Sequence, residues 1–150
     1  MSAVLLDANL LILLIVGTAD RTYIGKHKRL RDYAEDDFNL LLRIIAPMSP
    51  IIVTPNILTE ASNLVSQIAE PARTQIAMTF RALVGVVEER YVESRRAVDQ
   101  IEFPRLWLTD SGILDEMSET RVLLTADLEL YLAALHRGHQ AINFNHLRAE

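Results

Sequence analysis

The 150-residue chain contains no cysteine, which excludes disulfides and thiolate metal sites and fits a reducing compartment. It also lacks any long Pro-, Gly- or Ser-rich stretch that could act as a linker, and it shows no internal repeat. A single domain over residues 1–150 is expected, long enough to bury a full core. Leu10 to Val16 is wholly apolar but far short of the roughly 20 residues that span a bilayer. Met1-Ser2-Ala3 brings no side-chain charge where a secretory signal carries its basic region, and Asp7 and Asn9 interrupt the apolar stretch that follows. The expected location is cytoplasmic, with no membrane partner. With 50% hydrophobic and 23% charged residues, the composition is that of a folded globular chain.

The formal net charge of −5 argues mildly against nucleic-acid binding, because phosphates are met mainly by Lys and Arg. Distribution matters more than the sum. If several acids share one metal pocket, their charge is offset locally and the remaining surface is nearly neutral.

Strand-length apolar runs alternate with helical patterns along the chain. Ser2 to Leu6 reads as a strand, followed by a helix from about Asn9 to Val16 and a polar, loop-like Gly17 to Lys28. Arg29 to Ile45 has helical spacing, and Ile51 to Val53 is a β-branched strand. Thr54 offers an N-cap and Pro55 a first helical position for a helix to about Ile68. Pro71 opens another, with Ile76, Phe80, Leu83, Val87 and Tyr91 as a stripe for core packing or for a homodimer contact. Ser94 to Gln100 reads as a short helix, and a further helix opens at Thr109 or Asp110 and runs to about Met117. Arg121 to Thr125 is a strand, Leu128 to Arg137 a helix with Gly138 as its C-cap, and Gln140 to Phe144 a final strand. This alternation predicts a three-layer α/β, Rossmann-like fold with a mainly parallel sheet, its strand C-termini on one edge.

Four acids fall where this pattern turns or a helix begins: Asp7, Glu60, Asp110 and Asp127. Val4-Leu5-Leu6 and Val122-Leu123-Leu124 are near copies, each leading to an aspartate and then a helix. If both strands are central and parallel, both aspartates reach the ligand-binding edge. Each aspartate could equally cap the helix after it. Glu60 lies on a polar helix face with Asn56 and Asn63 that a solvated surface would also explain. Asp110 again sits at a capping position. Asp115 and Glu116 fall on other faces of their helix and read as exterior charges.

The stretches Leu5-Leu6-Asp7-Ala8-Asn9-Leu10-Leu11, Thr54-Pro55-Asn56-Ile57-Leu58-Thr59-Glu60, Leu108-Thr109-Asp110-Ser111-Gly112-Ile113-Leu114 and Leu123-Leu124-Thr125-Ala126-Asp127, in this order, resemble the PIN-domain family of metal-dependent ribonucleases. The resemblance covers essentially the whole chain, with Ala141-Ile142-Asn143-Phe144 as the closing strand. It departs from the family pattern at Ala8, where Thr is frequent, and in the insertion Gly17–Lys28 and the helix after Pro71. The resemblance implies a PIN domain: four acids gathered in one groove, Mg²⁺ or Mn²⁺ as cofactor, and an RNA substrate cleaved at its phosphodiesters. It further implies an antitoxin partner in the many members that are toxins. Asp7, Asp110 and Asp127 would be the principal or water-mediated metal ligands, with Glu60 holding a second ion or orienting the attacking water.

Crowded carboxylates ionise together only with a cation among them, and an all-oxygen donor set suits Mg²⁺ or Mn²⁺ rather than Zn²⁺. Asn9 and Thr125 are candidates to orient the carboxylates, Thr125 having an equal claim as a helix cap. His27, His136, His139 and His146 show no metal spacing with the acids. Arg21, Lys26, Lys28, Arg29 and Arg31 surround Tyr23 and His27 as an RNA-binding cluster or a solvated loop. Arg90, Arg95, Arg96 and Arg105 form a looser group. Two rivals remain: a phosphoaspartate enzyme, disfavoured by Asn9 where Asp-x-Asp is wanted, and a non-catalytic PIN-like scaffold that binds RNA or a protein partner.

Overall fold

Two near-identical apolar runs form the centre of the sheet. In the computed structural model, which describes residues 2–148, β1 (Ala3–Leu6) lies parallel to β4 (Arg121–Thr125) with Val4 opposite Val122, Leu5 opposite Leu123 and Leu6 opposite Leu124. All six are buried, as continuous apolar runs covered on both faces require. β2 (Ile51–Val53), β3 (Glu88–Glu89) and β5 (Gln140–Asn143) complete an all-parallel sheet in the order β3-β2-β1-β4-β5. Helices flank the sheet, giving the expected Rossmann-like three-layer architecture. From β1 the chain moves outward to β2 and β3, then returns to β4 on the other side. The β1/β4 boundary is therefore the topological switch point, beyond whose strand C-termini open α/β sheets bind ligands.

Helix α1 (Ala8–Ala19) is apolar all round and buried from Leu10 to Gly17, the mark of an interior helix. It packs against α2 (Glu35–Ile45), α3 (Pro55–Val65) and α4 (Ala72–Val84). Gly17 is required there, because a Cβ at that position would meet the Phe38 ring at 2.3 Å. The helix thus extends past Val16. Residues 17–28 are not an open loop: α1 finishes at Ala19 and two 3₁₀ turns follow, Arg21–Lys26 and Lys28–Leu30. Polar caps replace apolar periodicity here. Asp20 Oδ1 accepts from the Thr22 N–H at 2.9 Å, and His27 Nδ1 from the Arg29 N–H at 3.1 Å.

The helix expected from Arg29 begins only at Glu35, where Asp37 Oδ2 accepts from the Ala34 N–H at 2.8 Å. Thr54 caps α3 as expected, its Oγ1 accepting from the Ile57 N–H at 3.2 Å, and the helix stops short of Ile68. The stripe on α4 ends early: Ile76 is buried, but Val87 lies beyond the helix and Tyr91 is exposed. Two consecutive glutamates make the edge strand β3, paired through Ile52 and Val53.

Helix α5 (Ser94–Val98) precedes α6 (Phe103–Glu116), which starts earlier than Thr109 and is broken at Trp107. Its charges Asp115 and Glu116 are largely covered rather than exterior, paired with Arg96 at 3.2 Å and with Arg90 and Arg121 at 3.1 and 3.0 Å. α7 (Leu128–His136) ends at Gly138, whose φ of +81° suits glycine and whose N–H donates to the Leu135 carbonyl. α8 (Phe144–Arg148) closes the described chain. Among the described residues no helix is long and apolar enough to cross a membrane.

Candidate functional site

A cavity of about 420 Å³ opens over the C-terminal ends of β1 and β4. Its lining includes Asp7, Glu60, Asp110 and Asp127, together with Asn9, Trp107 and Thr109. The four acids come from four separate segments: Asp7 from the end of β1, Glu60 from α3, Asp110 from α6 and Asp127 from the turn after β4. No Lys, Arg or His appears among the residues described as lining the cavity.

Asp7 is buried and largely engaged. Its Oδ1 accepts from the Leu10 N–H at 2.9 Å, while Oδ2 accepts from the Ala126 N–H at 3.0 Å and from the Thr125 hydroxyl. Capping of α1 and a place in the cavity are thus combined in one side chain. Three donors occupy three of about four lone-pair sites, leaving little of this carboxylate open. Asp127 likewise combines both roles: Oδ1 accepts from the Leu130 N–H at 3.0 Å to cap α7, and Oδ2 makes no hydrogen bond among the described residues.

Thr125, buried at the end of β4, joins these two acids. Its Oγ1 accepts from the Asp127 N–H at 3.0 Å and donates to Asp7. The cap of α7 is Asp127, so Thr125 orients carboxylates rather than capping the helix. Asn9 lines the cavity but makes no hydrogen bond to any of the four acids among the described residues.

Glu60 is exposed at the rim, where its Oε1 accepts from the Thr109 hydroxyl at 3.1 Å and so ties α3 to α6. Asp110 is half-buried and has no hydrogen-bond partner among the described residues. Burial foremost, then the charges of Asp127, Asp7 and Glu60, push its carboxyl up to about 7. Burial also raises Asp7 above the ordinary carboxylate range, with Asp127 adding to it, against hydrogen bonds from Thr125, Leu10 and Ala126 that pull it down.

The donors fit a hard divalent cation in kind: carboxylate oxygens, with no competing cationic side chain. They do not stand in a compact ligand shell. Among the described residues no three acidic or histidine groups lie close enough together to hold a metal ion. Like charges with no cation between them lower their repulsion by separating. Among the described residues, the oxygens of the four acids without hydrogen-bond partners are those of Asp110, Asp127 Oδ2 and Glu60 Oε2.

The basic cluster lies outside the lining. Arg21 contacts Asn39 and sits over the Phe38 ring at 4.8 Å, Arg29 Nε donates to Gln67 at 2.8 Å, and Tyr23 bonds Gln75. Lys28, Arg29 and Arg31 line a separate recess, and Lys26 faces another beside Pro71. Of the second group, Arg90 and Arg96 pair with Glu116 and Asp115, and Arg105 lies 3.9 Å from Glu129.

Two features escaped the sequence. Trp107 lines the cavity at φ 63° and ψ −167°, a backbone region that is essentially glycine-only. Glu102, buried, accepts from Arg137 Nε at 2.9 Å. Pro104 in the first turn of α6 was the one signal that the helix begins before Thr109. Comparison with protein-family models, curated proteins and solved structures finds no match.

Proposed function

We propose that this chain is a divalent-metal-dependent endoribonuclease of the PIN type, hydrolysing RNA phosphodiesters at the cavity above β1 and β4. One observation carries the reading: acids from four distant segments line a single cavity whose described lining holds no basic side chain. Buried carboxylates without a cation or a full set of hydrogen bonds are costly, so an ion-free role gives no reason for Asp110 to stand among three others.

Asp110, Asp127 and Glu60 offer the open oxygens for Mg²⁺ or Mn²⁺, and Asp7 gives its remaining lone pair. When bound, the ion supplies a water of lowered pKa and offsets charge on the scissile phosphate. Thr125 holds Asp7 and the Asp127 backbone in fixed relation, and Thr109 holds Glu60 at the rim. Glu60 Oε2 would accept a hydrogen bond from the attacking water. An antitoxin partner, a homodimer and a cytoplasmic site of action belong to this proposal.

The test is cleavage of a panel of single-stranded and structured RNAs with Mn²⁺ and with EDTA, comparing the wild type with Asp7→Asn. Cleavage that needs the metal and disappears in the variant is the expected result. Expression should arrest growth, relieved by a small protein encoded alongside, if the chain is a toxin. The absence of a three-ligand shell among the described residues favours a second reading, a non-catalytic scaffold. RNA bound with equal affinity by both forms and never cut would select it.

A further inference from the structure

Trp107 is the sole tryptophan of the chain, and three independent features distinguish it. The residue is 68% exposed, although tryptophan is one that folding ordinarily buries to a large extent. It lines the same cavity as the four acids. Its backbone, at φ 63° and ψ −167°, breaks α6 into two segments; it is the only residue other than glycine with positive φ among those described. A bulky side chain in that region is a true outlier, of a kind that clusters at functional sites. Glycine would occupy the break without strain, so the need for a ring must be sought elsewhere.

Among the described residues one aromatic ring packs against the indole. Phe103 meets it edge-on, with centroids 5.5 Å apart and planes at 63°. Leu106, the preceding residue, is buried while Trp107 stays largely in solvent. A supported, solvent-facing indole beside a phosphate-cleaving cavity matches the stacking platforms of proteins that bind single-stranded nucleic acid.

We infer that Trp107 stacks on an unpaired nucleobase of the RNA and thereby sets the position of the strand over Asp110 and Asp127. This rests on the ribonuclease reading for the identity of the ligand. The cavity then discriminates against duplex RNA, whose bases are committed to their own stack and must be extruded to reach the ring.

Because no other tryptophan is present, the ring reports on itself. Intrinsic fluorescence is titrated in Ca²⁺ with the single-stranded heptamer UUUAUUU and with an abasic ribose-phosphate heptamer of equal charge. Separately, KM and kcat for RNA cleavage in Mn²⁺ are compared for wild type, Trp107→Phe and Trp107→Leu. Saturable quenching by the base-bearing heptamer is expected, with binding of the abasic strand roughly tenfold weaker or worse. Trp107→Leu should raise KM by a similar factor, Trp107→Phe should restore most of it, and kcat should change much less. Equal binding of the two heptamers, or a Trp107→Leu enzyme with wild-type KM, overturns the inference while leaving the nuclease reading intact. Base-dependent quenching with no metal-dependent cleavage overturns the nuclease reading and leaves the platform standing. Neither quenching nor cleavage removes both.

Discussion

Glu102 and Asp7 are equally buried, each 4% exposed, yet their surroundings are opposite. Glu102 faces a guanidinium: both of its oxygens accept from Arg137, and that partner holds its carboxyl below the ordinary range. Asp7 has neutral hydrogen-bond donors and no cation, and burial drives it upward, with the charge of Asp127 adding to it. Asp110, in the same cavity, reaches about 7. One buried acid has its countercharge built into the chain and belongs to the scaffold, fastening α6 to the end of α7. The others have hydrogen bonds or nothing, and no positive side chain stands among the described residues lining their cavity. Burial alone identifies neither; the sign of the neighbours separates structure from site.

The largest expected consequence concerns Asp110→Asn. A carboxyl at about 7 instead of its ordinary 3.8 costs the metal-free fold on the order of 4 kcal/mol above pH 7. The sign follows from proton counting. Between pH 3.8 and 7 the unfolded chain has released this proton while the native state retains it, so stability falls as pH rises through that window. Asp110→Asn should therefore raise the melting temperature in EDTA at pH 8, and the gain should vanish near pH 4. Mn²⁺ at pH 8 should stabilise the wild type and do much less for the variant. Cleavage should meanwhile fall by about 10²–10³-fold, as when a centre of transition-state charge stabilisation is lost. A variant no more stable than wild type at pH 8 would break the contrast with Glu102.

The opposite response is expected from the paired acid. Arg137→Ala leaves Glu102 buried without a partner and should cost about 3 kcal/mol, with cleavage per folded molecule unchanged. Glu102→Gln in the Arg137→Ala background should recover part of the loss, read as the urea midpoint. Thr125→Val sits between the two cases, because it removes a positioning hydroxyl and no charge. Loss of such an orienting partner is worth about 10–100-fold in metal affinity or activity. Titration of Mn²⁺ should show the loss in affinity, and Thr125→Ser should restore it.

Much of this arrangement was legible. The twin runs Val4-Leu5-Leu6 and Val122-Leu123-Leu124 pair residue for residue, and their aspartates line one cavity because parallel strands in register end on the same edge. The helix caps at Thr54 and Gly138 follow from local chemistry that needs no tertiary context. Other features lie beyond such signals. β3 consists of two glutamates on an edge, with no apolar alternation to mark a strand. The Glu102–Arg137 pair spans 35 residues and leaves no pattern in either segment. Asp115 and Glu116 looked exterior by helical angle, but arginines from α5, β4 and the segment after β3 cover them. Asn9 lines the cavity as its place in the chain suggests, without a hydrogen bond to the four acids among the described residues. Trp107 was invisible because its conformation contradicts the preference of its own side chain.

That contradiction supplies the smallest and most discriminating effect. A residue held in a glycine-only region costs about 1–3 kcal/mol, and glycine would release that strain. Glycine also widens the freedom of the unfolded chain by about 1 kcal/mol, and the edge contact with Phe103 is lost. Trp107→Gly should therefore be neutral to slightly stabilising, within about 1 kcal/mol, whereas Trp107→Ala, which keeps the strain and loses the ring, should be the less stable of the two. Chemical denaturation of both variants checks the order. If Trp107→Gly is the less stable, the indole is a packing element and the break in α6 depends on it. If the fold tolerates glycine while RNA affinity falls, the strain is retained for what the ring does in solvent, and the acid-lined cavity acquires a wall that reads bases as well as a floor that meets phosphate.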